Sequence, residues 1–166
     1  MKIRKIMVFA GVLAMGMLSA CSGNVKKSEG AGLDKVQEAV SAQTLADVLV
    51  REGSFKDTMG AVDVTMALTR LYNLDESKIT ESAFFTNSNA TAEEVAVIVV
   101  ADDTYCSEVK ASYEARIQDQ TEACRDYLPD EIPKLEQAVI YENGNYVILC
   151  VSEDSDKVYE ILEKYF

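Results

Sequence analysis

The sequence has no histidine and no tryptophan, and only two prolines among 166 residues. Without imidazole, the Ser-His-Asp and Cys-His forms of nucleophilic catalysis are excluded. The usual catalytic zinc sites lean on imidazole as well and go with them. Carboxylate and lysine chemistry stay open, so an enzyme is not ruled out, although nothing yet points to one. Positive charge is also scarce: 16 Lys and Arg face 28 Asp and Glu, for a net charge of −12. Nucleic-acid binding needs basic surface to displace counterions, so no nucleic-acid partner is expected. The four cysteines show no C-x-x-C spacing, which removes the metal knuckle and the redox dithiol. No cofactor and no metal site are indicated.

Long apolar runs are limited to one. Lys2, Arg4 and Lys5 precede the almost wholly apolar stretch 6–18. Thirteen helical residues span about 20 Å, short of the ~30 Å hydrocarbon core. The segment therefore reads as a signal-peptide h-region rather than a membrane span. It ends in Leu18-Ser19-Ala20-Cys21, which resembles the lipobox of bacterial lipoproteins. The resemblance implies a signal peptide over 1–20, removed to leave Cys21 as a lipidated (palmitate-bearing) first residue. The protein is then held at the cell membrane, on its extracytoplasmic face, through that lipid anchor. Two acyl chains give lasting attachment where one binds reversibly.

Cleavage there would remove three basic residues and no acids, leaving 13 against 28, or −15. Such charge keeps an envelope protein soluble. Residues 21–32, CSGNVKKSEGAG, have little to bury and read as a flexible tether holding the domain about 18 Å from the bilayer. Residues 33–166 are expected to form one globular domain.

Leu33, Val36 and Val40 sit at helical spacing, and Thr44 to Asp47 looks like a capping box before Val48 and Leu49, with Gly53 as the stop. The stretch 59–74 mixes strand alternation with helical spacing; a helix over 63–72 fits it best. Residues 78–86 read as a strand. EVAVIVVA, 94–101, is the clearest strand, apolar on both faces and so central and covered on both sides. A long helix follows over about 104–127, with Cys106, Val109, Tyr113, Ile117, Gln120 and Cys124 on one face. AVIYE and NYVILCV flank Asn143-Gly144, the dipeptide of a type I′ hairpin turn. Ser155 can cap a last helix through Ile161, Leu162 and Phe166. The expected fold is α+β: a four-stranded, mainly antiparallel sheet in β-β-α-β-β-α order with preceding N-terminal helices. The long helix covers one sheet face and the N-terminal helices the other.

TAEEVAVIVV, the helix with Arg116 and Gln120, Tyr127-Leu128-Pro129 and AVIYENGNYVILCVSED together resemble a family of uncharacterised bacterial lipoproteins carrying a domain of unknown function. The resemblance reaches back to about Leu45. It implies the α+β fold and the lipid anchor, and transfers no catalytic residue.

Three groups of residues invite a chemical reading. Asp102-Asp103 together with Asp154 and Asp156 could ligate a cation. The spacing lacks the Gly-punctuated shape of a calcium loop, and helix capping explains both clusters better. Arg116 and Gln120, one turn apart, could hold a ligand carboxylate or satisfy a neighbouring acid at the sheet edge. Cys106 and Cys124 lie about 27 Å apart on an intact helix, so any intramolecular disulfide should join Cys124 to Cys150. The resulting functional expectation is a lipid-anchored binding or interaction module, with a possible envelope protein partner. The alternatives are a carboxylate-based cell-envelope hydrolase or an accessory subunit of a membrane complex.

Overall fold

A computed structural model describes residues 39–87 and 91–166. The leader, Cys21, the tether and the Leu33–Val36 spacing lie outside the described residues. No described helix is long and apolar enough to cross a membrane.

The fold is α+β, built on a five-stranded antiparallel sheet in the order β1-β2-β3-β5-β4. The strands are β1 (Met59–Ala61), β2 (Ile79–Asn87), β3 (Glu94–Val100), β4 (Val139–Asn143) and β5 (Tyr146–Val151). The expected β-β-α-β-β-α run is present from β2 onward, but the sheet has five strands, not four. β1 is the addition, paired with the end of β2 through Met59↔Asn87 and Ala61↔Phe85. At three residues with a central glycine, it has too little length for an alternation signal.

β3 is central and buried on both sides, because each parity of its side chains meets a different layer. Ala96, Ile98 and Val100 join Val147, Leu149 and Val151 of β5 beneath α3 (Cys106–Tyr127). Val95 and Val97 join Ile148 and Cys150 beneath α1 (Ala42–Glu52) and α5 (Ser155–Leu162). Tyr113 of α3 is fully buried, and its hydroxyl donates to the carbonyls of Ala96 (3.4 Å) and Val147 (3.3 Å).

α1 begins at Ala42, capped by Ser41, whose Oγ accepts from the Thr44 amide at 3.1 Å. The cap lies three residues before the box read at Thr44, and Val40 precedes the helix. The helix expected over 63–72 is present with an altered pitch. Asp63 caps α2 (Val64–Met66), which widens into a π-helical turn at Ala67–Leu71. Its Ala67 and Leu68 pack on the α3 side of the sheet, so among the described residues α1 is the early helix that covers the opposite face.

The hairpin also shifts by one residue. β4 ends at Asn143, which pairs with Tyr146, leaving Gly144-Asn145 as the loop. Only Gly144 has positive φ (+53°). That matches a type II′ turn, which needs glycine at its first central position, rather than type I′. Cys106, Cys124 and Cys150 are free and buried. Cys124 packs with the α3 layer and Cys150 with the α1/α5 layer, so the sheet stands between them and the expected pairing is excluded.

Candidate functional site

The first two residues of the central strand region, Glu93 and Glu94, are both 1% exposed. A carboxylate is almost never buried without a partner, because desolvating it costs several kcal/mol. The two acids solve this separately, with disjoint sets of partners.

Glu94 points to the α3 layer. The Arg116 guanidinium meets it edge-on, with Nε at 3.1 Å and Nη2 at 2.8 Å from Oε2. Gln120, one turn further along α3, donates its amide N–H to the same oxygen, and the Tyr72 hydroxyl donates to Oε1. The orientation of the Gln120 amide follows from chemistry: its oxygen could not face a carboxylate, so the NH2 must. Gln120 Oε1 is left buried without a hydrogen-bond partner, at a cost of order 1–3 kcal/mol. Tyr72 follows directly on the π-helical turn, lies tilted against Phe84 (5.4 Å between centroids) and meets Tyr113 edge-to-face (5.2 Å). Burial, reinforced by the negative Glu94, raises the Tyr72 hydroxyl well above its ordinary pKa, so it stays a donor. Arg116 is pushed the other way by burial, but Glu94 outweighs this and holds it charged.

Glu93 serves the end of the sheet near α4 (Ile132–Glu136). It accepts from Lys134 Nζ at 3.0 Å and from the Lys56 backbone N–H at 2.7 Å. Lys134 also reaches Glu131 at 3.1 Å and Glu153 at 3.7 Å. Glu131 in turn accepts from the Ala92 backbone N–H at 3.0 Å. Burial works to raise Glu93, yet the Lys56 amide and the Lys134 ammonium win and hold it below the usual carboxylate range.

Both acids border one cleft of about 410 Å³, a volume within the range of small-molecule sites. Val62, Met66, Leu71, Ala92, Ala123, Cys124 and Leu128 supply its apolar wall; Arg116, Gln120, Thr86, Asn87 and Thr91 join the two acids in its polar part. Met66 and Leu128 are 49% and 40% exposed, and Tyr127 beside Leu128 is 87% exposed.

The structure thus brings together the two residues singled out on α3, and joins them to an acid at the sheet's margin. Tyr72, Glu94 and the Glu93–Lys134–Glu131 group were missed. Two consecutive acids opening an otherwise apolar, doubly covered strand were the available signal, since such acids require buried partners. The aspartate clusters are not brought together. Asp102 caps the turn before α3 through the Thr104 amide at 2.9 Å, and Asp154 caps α5 through Lys157 at 3.0 Å. β3 and β5 are antiparallel, so the residues following each strand sit at opposite ends of the sheet. Among the described residues no group of three or more His, Cys, Asp or Glu could hold a metal ion.

No curated protein and no solved structure matches the chain. Residues 51–152 match the family described as Domain of unknown function (DUF4358). That span runs from the end of α1 through β5, takes in every residue of the Glu94 site and covers more than half of the chain; the protein belongs to the DUF4358 family.

Proposed function

We propose that this protein is a lipid-anchored extracytoplasmic binding module, whose ligand enters the cleft beside Arg116 and Gln120 and undergoes no chemistry there. The observation that carries this reading is the saturation of Glu94. Its two oxygens accept from Tyr72, Arg116 and Gln120. A general base must have a lone pair free for the proton it takes, and a general acid needs a raised carboxyl pKa. Glu94 has its acceptor positions filled, and Glu93 is held low by Lys134 and the Lys56 amide. The two acids of the cleft therefore serve as struts, which argues against the carboxylate-hydrolase alternative. The anchor and location rest on the basic start, the stretch 6–18 and the Leu18-Ser19-Ala20-Cys21 tetrapeptide.

The accessory-subunit reading draws on the exposed Val64, Met66, Tyr127 and Leu128. A photo-crosslinking residue at Leu128 in anchored protein in cells separates the readings. A binding module captures a small ligand or peptide from the cleft; an accessory subunit gives one stable large adduct. Loss of activity toward a wall polymer on substituting Glu94, with the fold intact, would contradict the strut role. Metabolic labelling with a palmitate analogue tests the anchor. Label should appear on the wild type and vanish in Cys21→Ala; equal labelling of both contradicts it.

A further inference from the structure

The cleft is one end of a longer groove. A second hollow of about 440 Å³ adjoins it towards the start of α3, and Leu71 and Arg116 line both. α3 supplies one wall throughout. Glu108, Ser112, Ala115 and Asp119 line the second hollow, and Gln120 and Ala123 the first. Steps of three and four residues make these one stripe of the helix. Tyr127 stands on the same stripe, four residues beyond Ala123, and is 87% exposed. The opposite wall comes largely from 62–74, with the π-helical turn in it. From Glu108 to Leu128 the helix rises about 30 Å. That length matches about nine residues of extended chain rather than a compact metabolite.

The charge along this groove is one-sided. Glu94 and Glu93 are matched by Arg116 and Lys134. Glu108 and Asp119 line the groove, and Glu122 and Asp126 follow Asp119 at i+3 and i+7, on the same side of α3. All four are exposed, and none forms a salt bridge among the described residues. Of the lining residues, Arg70 alone sets an unmatched positive charge against them. The cleft end adds Met66 and Leu128, apolar groups exposed beside Tyr127, as anchoring surface. We propose, building on the binding-module reading, that the ligand of this groove is a cationic peptide segment. Its apolar side chains seat against Leu71, Ala123 and Leu128, and its Lys or Arg side chains reach Asp119, Glu122 and Asp126. An anionic polymer would be repelled by the acidic row, and a small neutral molecule would leave most of the groove's length empty.

The test is fluorescence anisotropy with the full chain in phosphatidylcholine nanodiscs and dye-tagged ten-residue peptides. One peptide carries three Lys, three Leu and four Ser; its counterparts replace every Lys by Glu, or every Leu by Ser. The Lys/Leu peptide should bind tighter than either counterpart by roughly tenfold. Asp119→Asn, Glu122→Gln and Asp126→Asn combined should weaken it by about tenfold. The same charge removed by Asp156→Asn, Glu160→Gln and Glu163→Gln, on the α5 side of the sheet, should change it by less than about twofold. All six side chains are exposed, so both variants keep the fold. Tyr127→Ser should weaken the Lys/Leu peptide by about fivefold and leave the Lys/Ser peptide unchanged. Equal loss in the two triple variants, equal binding of the Glu/Leu peptide, or no binding above that of empty nanodiscs would overturn the proposal. No peptide binding together with a small ligand captured at Leu128 in cells would overturn the ligand class alone and leave the binding-module reading standing. No peptide binding together with one stable large adduct at Leu128 would overturn both.

Discussion

Glu93 and Glu94 are neighbours in the chain, equally buried, and held in different ways. Glu94 has one cation, supplemented by the neutral donors Tyr72 and Gln120. Glu93 shares its cation with two other carboxylates, Glu131 and Glu153, and also accepts from the Lys56 backbone N–H and the Asn87 side-chain N–H. The first arrangement is charge-balanced, with its members drawn from α3, β3 and the turn after α2. The second carries excess negative charge and ties α4 and the segment after α1 to the start of β3. A buried acid is satisfied either by a matched cation or by several shared donors, and the shared solution depends more heavily on its single cation.

Breaking that single cation should have the largest effect. Lys134→Met leaves Glu93 and Glu131 buried without a counter-charge, and should cost about 3–5 kcal/mol in chemical denaturation. Arg116→Met should cost less, about 2–3 kcal/mol, since it strands one buried carboxylate rather than two, and Tyr72 and Gln120 still donate to that one. Equal losses would erase the distinction between the two sites.

The two regions should also differ with pH. Glu93 is held below its ordinary value, so its share of stability is present above the unfolded carboxylate pKa and is lost as pH falls below about 4.3. Lys134→Met should flatten that acid limb in thermal melts taken across pH. The α3 side is lost at the other extreme. Tyr72 and Tyr113 are raised well above 10, chiefly by burial, so their share is full below pH 10 and declines as pH rises past it. Cys150, in the opposite α1/α5 layer and pushed by burial from 9 to about 12, adds a decline of its own beginning near pH 9.

Smaller effects lie away from both acids. Gly144→Ala meets no steric contact, so only its φ of +53° matters, and the cost should be about 1 kcal/mol by denaturation. Leu128→Ala, at an exposed position on the cleft wall, should change stability by under about 0.5 kcal/mol.

What the sequence made legible were the features written in local patterns. The β3 run, apolar at both parities, announced a doubly covered central strand, and the i, i+3, i+4 spacing from Cys106 to Cys124 announced the face of α3. Gly144 announced a hairpin, though pairing of Asn143 with Tyr146 moved the turn by one residue. The stretch 59–74 was ambiguous because it holds both structures: Met59–Ala61 is strand, and the residues from Val64 to Leu71 are helical with a wide turn. The site was only half visible. Arg116 and Gln120 stood out at helical spacing, but their partner lies 22 and 26 residues away, and Tyr72 reaches Glu94 from the other direction in the chain. Such convergence is set by sheet register and helix placement, which no local window contains.

The central claim is that Arg116 is bound to Glu94 as a structural pair and is not held in reserve as a free charge. A double-mutant cycle of Glu94→Gln and Arg116→Met, followed by denaturant unfolding, measures this directly. Each single substitution should destabilise, and the double should cost less than their sum by about 1.5 kcal/mol or more, because Glu94→Gln removes the buried charge that Arg116→Met would strand. Additive losses would contradict the account.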